Sequence, residues 1–137
     1  MSDLMDISVE HNDARLLGII AFADFGAQQS KIQYFSTARG AVGADPGAAP
    51  LVTMVLKKPC GAVIDHALVL EQAAPGGDLI TAQGSALWGR WINGAGVIVG
   101  EGDVSDEAGD GLFKVSGTTG TLLYAGARAI LGVTEIF

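Results

Sequence analysis

The stretch from Gly84 to Val104, GSALWGRWINGAGVIVGEGDV, constrains the fold more than any other part of the chain. Two apolar runs flank Asn93-Gly94, a pair that accepts the positive φ of a right-twisted two-residue turn, so the stretch predicts a central β-hairpin. Trp88 and Trp91 both lie on its first arm. Alternation along a strand sends them to opposite faces, one into the core and the other under a separate cover.

The rest of the chain is punctuated in the same way. Strands are expected at Lys31 to Thr37 and at Leu51 to Lys57, the second closed by Pro59 and Gly61. Others follow at Ala67 to Gln72, Leu79 to Gln83, Leu112 to Ser116 and Thr121 to Tyr124, with a longer last strand from Ala127 to Phe137. Before them, Asn12 and Asp13 offer capping oxygens, and Leu16, Leu17, Ile19, Ile20 and Phe22 recur at helical spacing until Gly26. This predicts one short helix, about Asp13 to Phe25. Many short strands and a single helix define an all-β chain, and a β-sandwich of jelly-roll type is the expected version. The 137 residues read as one domain: an N-terminal arm over 1–11, the helix over 13–25 and the sandwich over 31–137.

Two segments are not obviously needed by that core. In the arm, Leu4, Ile7 and Val9 alternate with polar residues, as in a strand that adds to a neighbour's sheet edge. The segment Ala38 to Pro50 lacks periodicity and reads as a long surface loop. Arg39 in it carries a planar donor fork suited to a carboxylate, and Asp45-Pro46 stiffens its tip. Leu4, Ile7, Val9, Arg39, Asp45 and Pro46 are therefore the candidate partner contacts. The apolar helix face and the arm also predict a homodimer or higher oligomer.

Charge and composition narrow the function. A net charge of −7 argues against binding phosphate backbones, which needs clustered Lys and Arg. The single Cys60 excludes an intrachain disulfide framework, and no metal or other cofactor is expected. The acidic N-terminal stretch lacks a signal-like apolar core, and no apolar run is long enough to span a bilayer, so no membrane partner is expected. Asp65-His66 is the one carboxylate–imidazole neighbour pair and reads as ordinary strand-edge sequence; no Gly-x-Ser-x-Gly elbow occurs. The acidic loop Asp103 to Gly111 departs from calcium-loop spacing, and GAGVIVG, Gly94 to Gly100, precedes a strand instead of opening a helix, so neither indicates a ligand. A sugar-stacking role for Trp88 and Trp91 competes with plain core packing. A non-enzymatic protein is expected.

Several segments, in order, resemble small structural proteins of tailed bacteriophages. They are Ala14 to Gly40, with its helix, small-residue turn and strand ending in Ser36-Thr37-Ala38-Arg39; Leu51 to Val63; the hairpin segment, where Trp88 and Arg90 match a Trp-x-Arg-x strand meeting an Asn-Gly turn; and Leu112 to Leu131, with Thr118-Thr119 and Ala125-Gly126. Within that group a chain of this size is similar to capsid cement, or decoration, proteins. The resemblance implies a virion protein on the capsid surface, present in host cytoplasm during assembly, that clamps neighbouring subunits of the major capsid protein. A head-completion or tail structural role is the nearest alternative, and a small carbohydrate- or ligand-binding module is the alternative of another class.

Overall fold

The computed structural model describes residues 5–117 and 120–137, so Leu4 and the Thr118-Thr119 pair lie outside the described residues. The chain is mostly β with one helix, α1, Val9–Ala23. That helix starts four residues earlier than the capping signals at Asn12 and Asp13 suggest. Ser8 is the N-cap, its hydroxyl accepting the His11 N–H at 3.1 Å, and Glu10 places a negative charge in the first turn. Asn12 and Asp13 turn sideways instead. Asn12 Oδ1 accepts from Arg15 at 2.7 Å, and both Asp13 oxygens lie 3.1 Å from His66 Nδ1. Val9 is thus helical, and the arm expected over 1–11 gives way to the helix after Ser8. Asp24 closes the helix, its N–H bonded to Ile20 O at 2.9 Å.

Eleven strands follow among the described residues: β1 Lys31–Phe35, β2 Val52–Ile64, β3 Ala67–Gln72, β4 Asp78–Leu79, β5 Gly84–Ser85, β6 Trp88–Ile92, β7 Ile98–Asp106, β8 Phe113–Val115, β9 Leu122–Leu123, β10 Arg128–Ala129 and β11 Glu135–Ile136. Seven form one sheet in the order β11-β3-β2-β1-β6-β7-β8, and β4 with β10 and β5 with β9 make two short ribbons. Neighbours in the large sheet are antiparallel except β7 and β8, where Val104, Ser105 and Asp106 pair in parallel with Phe113, Lys114 and Val115. The fold-back between those two strands is very tight. A Cβ on Gly111 would stand 2.6 Å from the Ser105 nitrogen, so only glycine passes there without a shift.

The hairpins differ from their sequence signals. β2 and β3 turn over two residues, Asp65 and His66, both with positive φ (50° and 66°), although neither is Gly or Asn. Asp and His both tolerate that region better than most residues. The pair is therefore a tight turn, not strand edge. β2 itself runs through Pro59 and Gly61, where it was expected to close; the proline is cis and the pairing slips between Leu56 and Gly61, so a bulge takes up the irregularity. At Asn93-Gly94 the hairpin exists but the turn is wider. Ile92 pairs with Ile98, and Asn93 Oδ1 accepts the Ala95 and Val97 N–H groups at 3.0 and 2.9 Å.

The expected last strand, Ala127 to Phe137, breaks into three short pairings that close the sheet on itself. Arg128–Ala129 pairs with β4; Gly132 N donates to Lys114 O and Ser116 N to Ile130 O along β8; Glu135 and Ile136 pair with β3. Thr134, fully buried, joins the two edges: its Oγ1 accepts Lys114 N at 3.3 Å and donates to Gly132 O at 3.2 Å, while its carbonyl accepts Leu70 N at 3.1 Å. One C-terminal segment therefore serves both edges. Inside lie Leu16 and Ala23 of α1 with Ile32, Tyr34, Met54, Leu56, Leu68, Trp91, Phe113 and Val115. Desolvation pushes the Tyr34 phenol far above its ordinary range, so it stays neutral and donates to Lys114 O at 3.3 Å.

Candidate functional site

Trp91 faces the helix side and belongs to the main core, whereas Trp88 points the other way, beside Phe35. The opposite-face expectation for the two tryptophans therefore holds. Trp88 and Phe35 stack with centroids 4.6 Å apart, and the Arg90 guanidinium lies 5.3 Å over the Trp88 ring and 5.9 Å from that of Phe35. Directly across the hairpin, Arg90 Nε donates to Glu101 Oε2 at 2.7 Å, and the Glu101 side chain is only 2% exposed. The same two residues hold the long loop. Arg90 Nη2 donates to Ala44 O at 2.6 Å, and Gly43 N donates to Glu101 Oε2 at 3.2 Å.

The loop from Ala38 to Pro50 is thus a cover for the second sheet face, pinned at its middle by a buried ion pair. Arg39 Nη1 adds a contact of 3.4 Å to Asp103, both side chains exposed, and such a pair contributes little in water. At the tip, Asp45 Oδ1 accepts the Gly47 N–H at 2.9 Å, a side-chain-closed turn, and Pro46 is half-buried beside it. Val42 stands out from this surface at 74% exposure, amid small residues. Of the other sequence candidates, Ile7 lies in the lead-in to α1 and Val9 in its first turn, both exposed and remote from the loop in sequence.

The residues with chemical potential elsewhere are engaged. Cys60 is buried, and its backbone N–H donates to Asp24 Oδ1 at 3.0 Å. Burial pushes its thiol up to about 12, with the Asp24 carboxylate adding to the effect, so it is a poor nucleophile at neutral pH. His66 and Asp13 tie the β2–β3 turn to the helix at the surface. In the acidic loop, Asp106 accepts from Ala108 N at 3.1 Å and Gly120 N at 2.7 Å, and Lys114 Nζ donates to Ser105 Oγ and Gly109 O. Backbone donors, Gly120 first, hold the Asp106 carboxyl below its ordinary range. Among the described residues, no three of His, Cys, Asp and Glu gather in a way that could hold a metal ion, and no helix is long and apolar enough to cross a membrane.

Glu101 and Asn93 are absent from the sequence-level candidates for one reason, the register. A two-residue turn at Asn93-Gly94 sets Arg90 opposite Val97; the wider turn and the slip between Trp91 and Ile92 set it opposite Glu101. The available signal was an Arg two residues after a Trp, with acidic Glu101 and Asp103 on the return arm. Compared with protein-family models, curated proteins and solved structures, the chain matches none.

Proposed function

We propose that this chain is a non-enzymatic structural protein that docks on a macromolecular surface through the outer side of the Ala38 to Pro50 loop, as a cement protein on a phage capsid does. The observation that carries the reading is the pinned loop. Arg90 and Glu101 hold its backbone in place, so little ordering entropy is lost on docking, and exposed Val42 beside small residues offers a closely approachable surface. The ordered segment resemblance supplies the partner class, the major capsid protein. In this reading the curled sheet plays the part of the jelly-roll-like sandwich that the resemblance implies, a stiff body carrying contact loops. A head-completion or tail position uses the same surface. The carbohydrate-binding alternative loses its motivation, because Trp88 and Trp91 are both buried and present no ring face to a sugar.

The arm contributes less than its sequence suggests. Strand addition by Leu4, Ile7 and Val9 needs an extended chain through Val9, and the helix begins there. The test is co-sedimentation with assembled phage capsid shells that lack this protein. Full-length protein is expected to pellet with the shells at a fixed stoichiometry, and Val42→Asp to stay in the supernatant with an unchanged melting temperature. Failure of the full-length protein to bind sinks the cement assignment; undiminished binding by Val42→Asp sinks the loop as its contact.

A further inference from the structure

Helix α1 carries two apolar stripes, and the fold uses only one. Leu16, Ile19, Ile20 and Ala23 pack inward. On the opposite side Ala14, Leu17, Gly18, Ala21 and Phe22, with Phe25 just past the end, recur at i, i+3, i+4, i+7, i+8 and i+11, the spacing of a second buried face. Yet Leu17 is 58% exposed, Phe22 44% and Phe25 66%, and nothing lies within 4 Å of a Cβ placed on Gly18.

The face has a shape and a charge pattern that fit its own copy. Ala14, Gly18 and Ala21 form a shallow groove between the larger Leu17 and Phe22. Acidic Asp6 and Glu10 mark the N-terminal end of the helix. The last turn has no basic residue of its own, but exposed Lys58 reaches that end, its Nζ 2.8 Å from Gly26 O and 3.4 Å from Gln28 O, with exposed Lys57 next to it.

We infer that two copies of this chain pair through α1, antiparallel, with Gly18 at the two-fold axis. In that register Ala14 lies level with the second copy's Phe22, so a large side chain sits over a small one, and the symmetry makes the contact twice. His11 lies level with the second copy's Phe25. Glu10 lies level with the second copy's Gly26, whose carbonyl holds Lys58, so each acidic end meets a basic end. A parallel pairing instead stacks like charges at both ends. One helix face is less than the roughly 800 Å² per partner of a standard interface, so the dimer is a weak one. The pairing does not depend on the capsid reading, since the helix face and the loop are separate segments.

The full-length chain tests this directly. Sedimentation equilibrium at about 100 micromolar is expected to show a species of twice 14.0 kDa. Phe25→Glu is expected to be monomeric with a nearly unchanged melting temperature, because the residue is 66% exposed. Glu10→Lys weakens dimerisation roughly tenfold by reversing two symmetric contacts, and adding Lys58→Glu restores it. Gly18→Cys is expected to link into a disulfide dimer under air while His11→Cys does not, the native Cys60 being buried and out of reach. A monomeric parent at that concentration overturns the inference, as does a dimeric Phe25→Glu. Failure of the double charge reversal to restore pairing, or linking through His11→Cys instead of Gly18→Cys, overturns the antiparallel register.

Discussion

Two aromatic rings, a buried carboxylate and a loop carbonyl converge on Arg90. Removing it leaves the nearly inaccessible Glu101 side chain with the Gly43 N–H as its one remaining partner among the described residues, which costs about 3–5 kcal/mol for a broken buried pair. Arg90→Ala is expected to lose that much in denaturant unfolding, and Arg90→Lys less, because an ammonium keeps the charge but not the fork. A loss under about 1 kcal/mol in Arg90→Ala shows the pair to be solvated and the loop unpinned. Two glycines give a contrast at the same scale. Gly18 is in a helix with open space around it, so Gly18→Ala, measured where the chain is dilute, should gain up to about 1 kcal/mol. At Gly94 a Cβ would stand 1.9 Å from Gln28 O, in the stretch where Gly26 and Gly94 bridge, so Gly94→Ala should lose about 1–3 kcal/mol or more. Equal effects from the two changes contradict the close backbone approach at Gly94.

Among elements, the C-terminal segment is the one whose removal should matter beyond its size. It pairs with β8 through residues 130–132 and with β3 through residues 134–136, and without it both carry bare edges. Thr134→Val keeps the shape but orphans the Lys114 N–H, and is expected to cost about 1–3 kcal/mol and to speed amide exchange at Lys114 and Leu70. Slow exchange at both amides in the variant argues against closure through Thr134. This closure could not be read from Ala127 to Phe137, because a single apolar run carries no mark of changing partners, whereas the strands β1 and β3 and the hairpin arms were legible from local alternation. Turn chemistry was legible only where it followed the commonest residues. Asn93-Gly94 announced a turn but not its width, since Asn93 spends its side chain on Ala95, Val97 and the Phe22 carbonyl, docking the turn on the helix end. Asp65-His66 announced nothing, yet makes the tighter turn because Asp13 and Asn12 of α1 hold His66 from the side. The Arg90–Glu101 pair was hidden by the register that the first of these turns sets, and the loop's role as a cover by the pair.

Over the whole molecule the balance of charge, −7 with a pI near 4.5, makes acid the condition under which both fold and solution behaviour change most. As pH falls toward the pI, mutual repulsion between copies declines, which favours self-association, while carboxylates that accept backbone donors begin to take up protons. Asp106 is such a carboxylate. Its carboxyl is held below the ordinary value by the Gly120 N–H first; desolvation, the next effect in size, opposes this, and the Ala108 and Gly109 N–H groups and Lys114 add to the lowering. Because the folded value lies below the unfolded one, its contribution to stability is fully present above the unfolded pKa of about 3.9 and is lost as pH falls through the folded value. Asp106→Asn removes the charge but keeps an acceptor oxygen, so it should be less stable than the parent at neutral pH. Below the ordinary aspartate range the two unfolding curves should draw together, as the parent's Asp106 is protonated as well. Urea unfolding at a series of pH values measures this difference, and a gap between parent and variant that stays constant from neutral pH down through the acid limb contradicts the role assigned to Gly120 and its neighbours at that carboxylate.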